Sequence, residues 1–329
     1  MSPNAPLPDA APPAPAGPDA LPPAEWAQAA ALRTRPWVTL ACCSVVVALF
    51  LLTLGGTADS IGGRAGWAWA SNDAIWAGRW WTLLSSAFLH LEPWHAAFNL
   101  YWLWTFGAKL EPVLGRPRLA GLVLVSAWVS SAAQLAASDQ LGVGMSGVVY
   151  ALFGFLWLAG KQDARMRDLV SSQTVSLFLL WLVGCFVATY SGMVNIGNAA
   201  HASGLAMGAL LGIAFGWEYD RHRALGFALL SLLLATGSLA FAPWSPGWTA
   251  FRAVSAAQRK DHAAAVKWLR RSLARGQQPA WVWQTLAAVH HAQGDTSRMR
   301  DAVEQLRRHD EGAASRFEQW VQQGAPVGP

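Results

Sequence analysis

Gly144-Met145-Ser146-Gly147-Val148-Val149-Tyr150-Ala151-Leu152-Phe153-Gly154 is the stretch on which the reading of this chain turns. It opens an apolar helical segment that runs uncharged to Gly160, with a hydroxyl in its first turn between glycines. A polar group in such a segment is costly unless other helices bring it partners. The rest of the chain must therefore supply them.

Composition states what kind of chain this is. With 329 residues, 13% charged residues and 20 tryptophans, it falls among polytopic all-α membrane proteins. The net charge of +5 is uneven: after residue 242 there are 12 Lys/Arg against 7 Asp/Glu, and the remainder balances at 12 against 12. A basic excess confined to a tail gives no case for nucleic-acid binding. Cys42, Cys43 and Cys185 lie in apolar runs without Cys-x-x-Cys spacing, which argues against a disulfide scaffold or a zinc site.

Residues 1–36 are rich in Pro and Ala, without a basic start or an early apolar core, and are expected to form a disordered arm. Seven apolar segments follow, at about 38–54, 95–106, 119–135, 146–159, 174–190, 200–216 and 224–241. The second and fourth carry polar residues near one end, which a sheltering bundle would explain. Alternate connections place Arg33, Arg35, Lys109, Arg116, Arg118, Lys161, Arg165, Arg167, Arg221 and Arg223 on one side, against Arg64 and Arg79 on the other. The positive-inside rule makes the first side cytoplasmic. Everything after residue 242 is then extracytoplasmic, and the Trp-rich loop 55–93 lies at the outer interface.

The segment 243–311 has amphipathic helical patterning and a faint repeat at an offset of 34 residues. Ala253 pairs with Ala287, Asp261 with Asp295, Ala265 with Met299 and Leu269 with Val303. Thirty-four is the tetratricopeptide period, and Trp283, Leu286, Ala287 and Gly294-Asp295 resemble that pattern, although His290 stands where its tyrosine is usual. An ordinary helical hairpin is the alternative. Residues 312–329 read as a C-terminal tail.

Polar residues converge at one depth. Spans two, four and six all run inward from the outer face, and they open with His95 and Asn99, then Ser146, then His201. His95 and Asn99 share a helical face at i and i+4, as do Ser146 and Tyr150. Gly204 and Gly208 on span six, with Gly147 and Gly154 on span four, offer smooth surfaces for close packing, which would bring Ser146 to His201. A serine beside a base is the minimum for nucleophilic acyl transfer. Asn99, His95 and the Ser146 backbone N–H are candidate oxyanion donors, and Tyr150 a candidate orienting partner for His201. For any one of these residues alone, a hydrogen bond to a neighbouring backbone is the more common role; the joint arrangement reverses that weighting.

These residues resemble a family. Gly144-Met145-Ser146-Gly147 with Tyr150 and Gly154, His95-Ala96-Ala97-Phe98-Asn99, and Ala200-His201 with Gly204 and Gly208 are similar to the signature elements of rhomboid intramembrane serine proteases. The Gly107–Gly115 stretch with Leu110-Glu111-Pro112 resembles the family's turn after the second span, and Arg79-Trp80-Trp81 its first-loop motif. Thr82 departs from the pattern, since many members carry arginine there. The resemblance covers about residues 37–216.

It implies a six-helix protease core (37–217) that cleaves transmembrane proteins without metal or ATP; the seventh membrane helix (218–242) and the small helical extramembrane domain, read from hydropathy and periodicity, lie outside the family pattern. Residue by residue it implies Ser146 as nucleophile, His201 as general base, and His95 and Asn99 as oxyanion donors. The expected partners are transmembrane substrates, the lipid bilayer of a bacterial inner membrane and a protein bound by the helical tail. The alternative is a catalytically silent bundle that recognises transmembrane helices as a chaperone or binding protein.

Overall fold

The computed structural model describes residues 35–54, 68, 71–274 and 280–323. The expected disordered arm up to residue 34, Arg33 and Arg64 among the orienting charges, most of loop 55–70, and residues 324–329 lie outside the described residues. Every element among the described residues is helical. The bundle consists of α1 (Trp37–Thr53), the short α2 (Asn72–Trp76) and α3 (Thr82–Ser85) with a 3-10 turn (Ser86–Phe88), α4 (Pro93–Leu114), α5 (Arg116–Ser138), α6 (Ser146–Ala159), α7 (Ser172–Tyr190), α8 (Asn198–Gly216) and α9 (Arg221–Ala240). The tail holds α10 (Pro246–Gln258), α11 (His262–Leu273), α12 (Ala280–Ala292), α13 (Thr296–His309) and α14 (Glu311–Gln322).

All seven apolar segments fall on helices. Four of them, α5, α7, α8 and α9, are long and apolar enough to cross a membrane, while α1 and α6 are apolar but shorter. The 22 residues of α4 include His95, Asn99, Lys109 and Glu111, which lower its hydropathy. This helix runs on through Pro112 to Leu114, so the expected turn is narrower than Gly107–Gly115 and centres on Gly115, whose φ of 79° suits glycine.

Glu111 explains how that end of α4 is used. Its carboxylate is buried and accepts from the Val38 and Thr39 N–H groups and from the Thr39 hydroxyl, each at 2.9 Å. It thus caps the first turn of α1, whose own flank offers no side-chain cap. Gly107 lets the two helices meet there, because a Cβ would stand 2.7 Å from Thr39 Oγ1.

Helix α6 is the centre of the bundle. It is enclosed by α4, α5 and α8 and buries its side chains from Gly147 to Leu156 on every face. Its closest neighbour is α8. A Cβ on Gly204 would lie 2.1 Å from Gly147 O, one on Gly208 1.9 Å from Ala151 O, and one on Gly212 2.6 Å from Phe155 O. The steps of four on both helices mean that they run parallel with backbones in contact, the arrangement that small residues permit where lipid removes the hydrophobic drive between helices. Gly154 completes the seam against Leu205 O, and Gly147 also faces Ser130 of α5. By contrast α7 is loosely held, burying only Phe178 and Cys185.

The tail domain repeats in space at the spacing read from the sequence. Helices α10 and α12 start 34 residues apart, as do α11 and α13. Asp261 and Asp295 cap α11 and α13 through the Ala264 and Arg298 N–H groups, each at 3.0 Å. Both turns contain a left-handed residue, Lys260 with φ 61° in the first and Gly294 with φ 73° in the second. For a non-glycine residue that conformation costs roughly 1–2 kcal/mol.

One boundary is corrected: the helical domain does not stop at residue 311. Helix α14, capped by Asp310, places Ala313, Ala314 and Phe317 in the same core as Leu269, Leu286 and Leu306. Its apolar face, Ala313, Ala314, Phe317, Trp320 and Val321 at helical spacing, turns toward that core.

The tail is seated on the bundle. Asp139, left-handed at the end of α5, accepts from the Ser245 hydroxyl and from the Gly247 N–H (3.0 Å) with its carboxylate, and from the Asn72 amide with its carbonyl. Trp244 donates its indole N–H to Ala136 O at 3.0 Å, and the Trp76 and Phe251 rings meet at 5.8 Å. The ends of α5, α2 and α10 thus form one junction.

Candidate active site

Ser146 is the first residue of α6. The turn before it is shaped by Gly144, whose φ of 108° few other residues adopt and whose missing side chain leaves room for His95; a Cβ would lie 2.5 Å from His95 Cε1. Because α6 spans only 14 residues, it rises about 21 Å, well short of the roughly 30 Å of a hydrocarbon core.

The seam between α6 and α8 then sets the key distance. Ser146 Oγ stands 2.8 Å from His201 Nε2, although the residues are 55 apart in sequence. Both are held from behind. The Tyr150 ring lies 4.8 Å from the His201 ring at 32°, and its hydroxyl donates to Phe178 O at 3.3 Å. His201 is buried, and its Nδ1 has no hydrogen-bond partner among the described residues. With Nε2 facing a hydroxyl, the ring can accept the serine proton if its own proton is on Nδ1.

His95 and Asn99 are beside this pair without bonding to it. The His95 ring packs against Gly144, two residues before Ser146. Asn99 is buried; its amide donates to His95 O in its own helix at 3.0 Å, and its Oδ1 has no partner among the described residues. All five expected side chains are thus brought to one end of the bundle. The Ser146–His201 pairing and the Tyr150 contact are direct, whereas His95 meets Gly144 and Asn99 bonds within its own helix.

Two further residues hold the site, and sequence reasoning missed them. His90, fully buried just before α4, accepts the Met145 N–H through Nε2 at 3.3 Å and contacts Phe88 O through Nδ1 at 3.2 Å. Those partners require a neutral ring with its proton on Nδ1. Burial, reinforced by the neighbouring His95, pushes its pKa down to about 4 despite the Phe88 carbonyl. Gln134 of α5 accepts the Ala200 N–H at 3.1 Å, fixing the turn of α8 that carries His201. An amide in an apolar helix was the available signal for Gln134. His90 stands outside any helical period and offered none.

The first-loop motif is also visible. Trp80 and Trp81 are exposed, and Arg79 lies over the Trp81 ring at 5.8 Å. Thr82, the departure noted above, is buried and donates to Arg79 O at 2.7 Å, so it closes the turn locally.

Residues 77–218 match the family model described as the Rhomboid domain. The chain is similar to Rhomboid protease GlpG of Serratia proteamaculans, 39% identical over 186 residues, which are 56% of this chain and 62% of the relative. It is likewise similar to Rhomboid protease GlpG of Pectobacterium atrosepticum, 39% over 141 residues (43% of this chain, 50% of the relative), and of Yersinia pestis, 33% over 174 residues (53% and 61%). The chain therefore spans half to about three-fifths of the length of these relatives. It is a multi-pass membrane protein, and the site residues described above all lie inside the matched segment.

Proposed function

We propose that the chain is a rhomboid-family intramembrane serine endopeptidase working by a Ser146–His201 dyad. The observation that carries this reading is the 2.8 Å contact between Ser146 Oγ and His201 Nε2 at the parallel seam of α6 and α8. His201 takes the serine proton as Oγ adds to the scissile carbonyl carbon, then gives it to the departing amine, leaving an acyl-enzyme. Water attacks the acyl carbon with His201 again as base, and Ser146 is regenerated. The oxyanion is met by the Ser146 backbone N–H at the helix start, by His95 and by the Asn99 amide after it turns from His95 O. Tyr150 acts as a positioning residue, holding the imidazole plane.

The loose packing of α7 supports a lateral approach for the substrate. It meets α4 through the stack of Trp181 on Phe98, centroids 5.3 Å apart, and through Phe178 on Trp102 (4.8 Å) and Phe106 (5.3 Å), so a sideways opening parts these rings. The remaining assignments are part of the same proposal: seven spans in a bacterial inner membrane, cytoplasmic N-terminus, a site opening outward, and α10–α14 as an extracytoplasmic tetratricopeptide-like module that docks a protein partner or substrate. The 34-residue recurrence of helix starts and Asp caps supports the last point.

The test is cleavage of a single-span reporter substrate in proteoliposomes. Ser146→Ala and His201→Ala should abolish it while both variants keep the wild-type thermal midpoint, and a fluorophosphonate should label Ser146 only when His201 is present. Unlabelled Ser146 with intact binding of the reporter helix would favour the silent chaperone or binding protein instead.

A further inference from the structure

Residues 139–145 join α5 to α6 and present Ser146, and each part of that loop has a holder. At the serine end, the Gly144 N–H donates to Ser86 O at 3.2 Å and the Met145 N–H to His90 Nε2 at 3.3 Å. In the middle, Gln140 Oε1 accepts the Asn195 amide at 2.7 Å, which ties the loop to the one that precedes α8. At the start, the holder is the tail.

Asp139 is left-handed, with φ 55°, a conformation for which aspartate and asparagine are enriched among non-glycine residues. Its carboxylate reaches across to α10, where it accepts the Ser245 hydroxyl and the Gly247 N–H. Ser245 Oγ in turn accepts the Trp248 N–H at 2.8 Å, so carboxylate and hydroxyl cap α10 in relay at the end where its dipole favours negative charge. The fit is close: a Cβ on Gly247 would stand 3.1 Å from the Trp76 ring and 3.3 Å from Asp139 Cγ. The end of α5 also serves both reacting residues. Ala136 O accepts the Trp244 indole N–H from the segment leading to α10, and Gln134 Oε1 accepts the Ala200 N–H next to His201.

We infer that Asp139 is a positioning residue for the proteolytic reaction: through it the tail fixes the start of the loop that presents Ser146. Hydrogen bonds to a carboxylate are the strong ones, and so short a loop, held at its start, middle and end, has little slack to absorb a shift of α10. The tail then contributes to the chemistry within its own chain, whatever else it binds. This inference rests on the proposed Ser146–His201 dyad.

The experiment uses the full chain in proteoliposomes and follows reporter cleavage, the rate of fluorophosphonate labelling, and hydrogen exchange of the peptide spanning residues 140–145. Asp139→Asn keeps the left-handed turn but removes the charge and one acceptor oxygen, and Ser245→Ala removes the partner on the tail. Each should lower kcat and the labelling rate about tenfold with KM unchanged, less than the roughly 10²-fold of a full ångström because the Gly144 and Met145 bonds remain. The double variant should be no worse than the worse single one, since both break the same contact. A role confined to holding the domains together would lower the thermal midpoint and leave kcat and labelling of the folded protein unchanged, and that result overturns the inference. Additive losses in the double variant, or a raised KM alone, overturn it as well. Hydrogen exchange separates the two readings. Ser245→Ala, 106 residues from Asp139, should speed exchange at residues 140–145 about tenfold. That acceleration in a protein whose wild type neither labels nor cleaves means that the dyad has failed while the coupling of tail to loop stands. Wild-type exchange in Ser245→Ala, with an active wild type, overturns the inference and leaves the dyad intact.

Discussion

Gly208→Ala tests whether the seam between α6 and α8 sets the catalytic distance. The added Cβ would stand 1.9 Å from Ala151 O and 2.5 Å from its carbonyl carbon, both backbone atoms with no rotamer to yield. Ordinary contact begins near 3.4 Å, so the helices must part by about 1.5 Å. If α8 moves as a rigid body, the 2.8 Å Ser146–His201 contact opens to roughly 4 Å, beyond hydrogen bonding. Overpacking of this kind costs about 1–3 kcal/mol of stability. Misplacement by an ångström costs about 10²-fold in rate. Should α8 tilt about its His201 end instead, Gly208→Ala would keep more activity than Gly204→Ala, whose Cβ meets Gly147 O at 2.1 Å only one turn from His201. Gly184→Ala on α7 and Gly226→Ala on α9 are the controls, since nothing lies within 4 Å of either added methyl. The assays are reporter cleavage in proteoliposomes, fluorophosphonate labelling of Ser146 and the thermal midpoint in detergent. Wild-type cleavage by both Gly204→Ala and Gly208→Ala would refute the reasoning.

The other two expectations concern residues that support the site from a distance. His90 has a folded pKa of about 4 against an ordinary 6.5, so the unfolded chain binds the extra proton between those values. The stabilisation is full above pH 6.5 and is lost as pH falls from 6.5 to 4, by roughly 3 kcal/mol in all. His90→Gln should flatten the fall of the thermal midpoint across that window, and an unchanged slope would count against it. Glu111→Ala removes three hydrogen bonds from the start of α1 and leaves the buried Thr39 N–H and the part-buried Val38 N–H unpaired, which should destabilise by roughly 3 kcal/mol. Guided by this cap, protease digestion should release α1 first; a wild-type midpoint would show that water replaces the carboxylate.

Local signals carried far in this chain. Apolar runs located the helices, and spacing of four residues put His95 with Asn99 and Ser146 with Tyr150, because helical geometry alone relates such pairs. The small residues of α8 likewise implied a close neighbour. Contacts without a period were invisible: Glu111 caps a helix 72 residues away, His90 receives the N–H of Met145, and Asp139 seats a tail that begins more than 100 residues later. Asn99 shows the limit of a helical period, since its amide turns to His95 O rather than toward Ser146.

What the sequence determined by itself is the helical membrane character, the order of the segments and the residue types in the first turns of three of them, since hydropathy and periodicity are properties of neighbours along the chain. Only the tertiary structure decided that Ser146 and His201 stand 2.8 Å apart. That distance depends on how closely two backbones approach, and the approach is set by the absence of side chains at Gly204 and Gly208 acting against carbonyls on another helix.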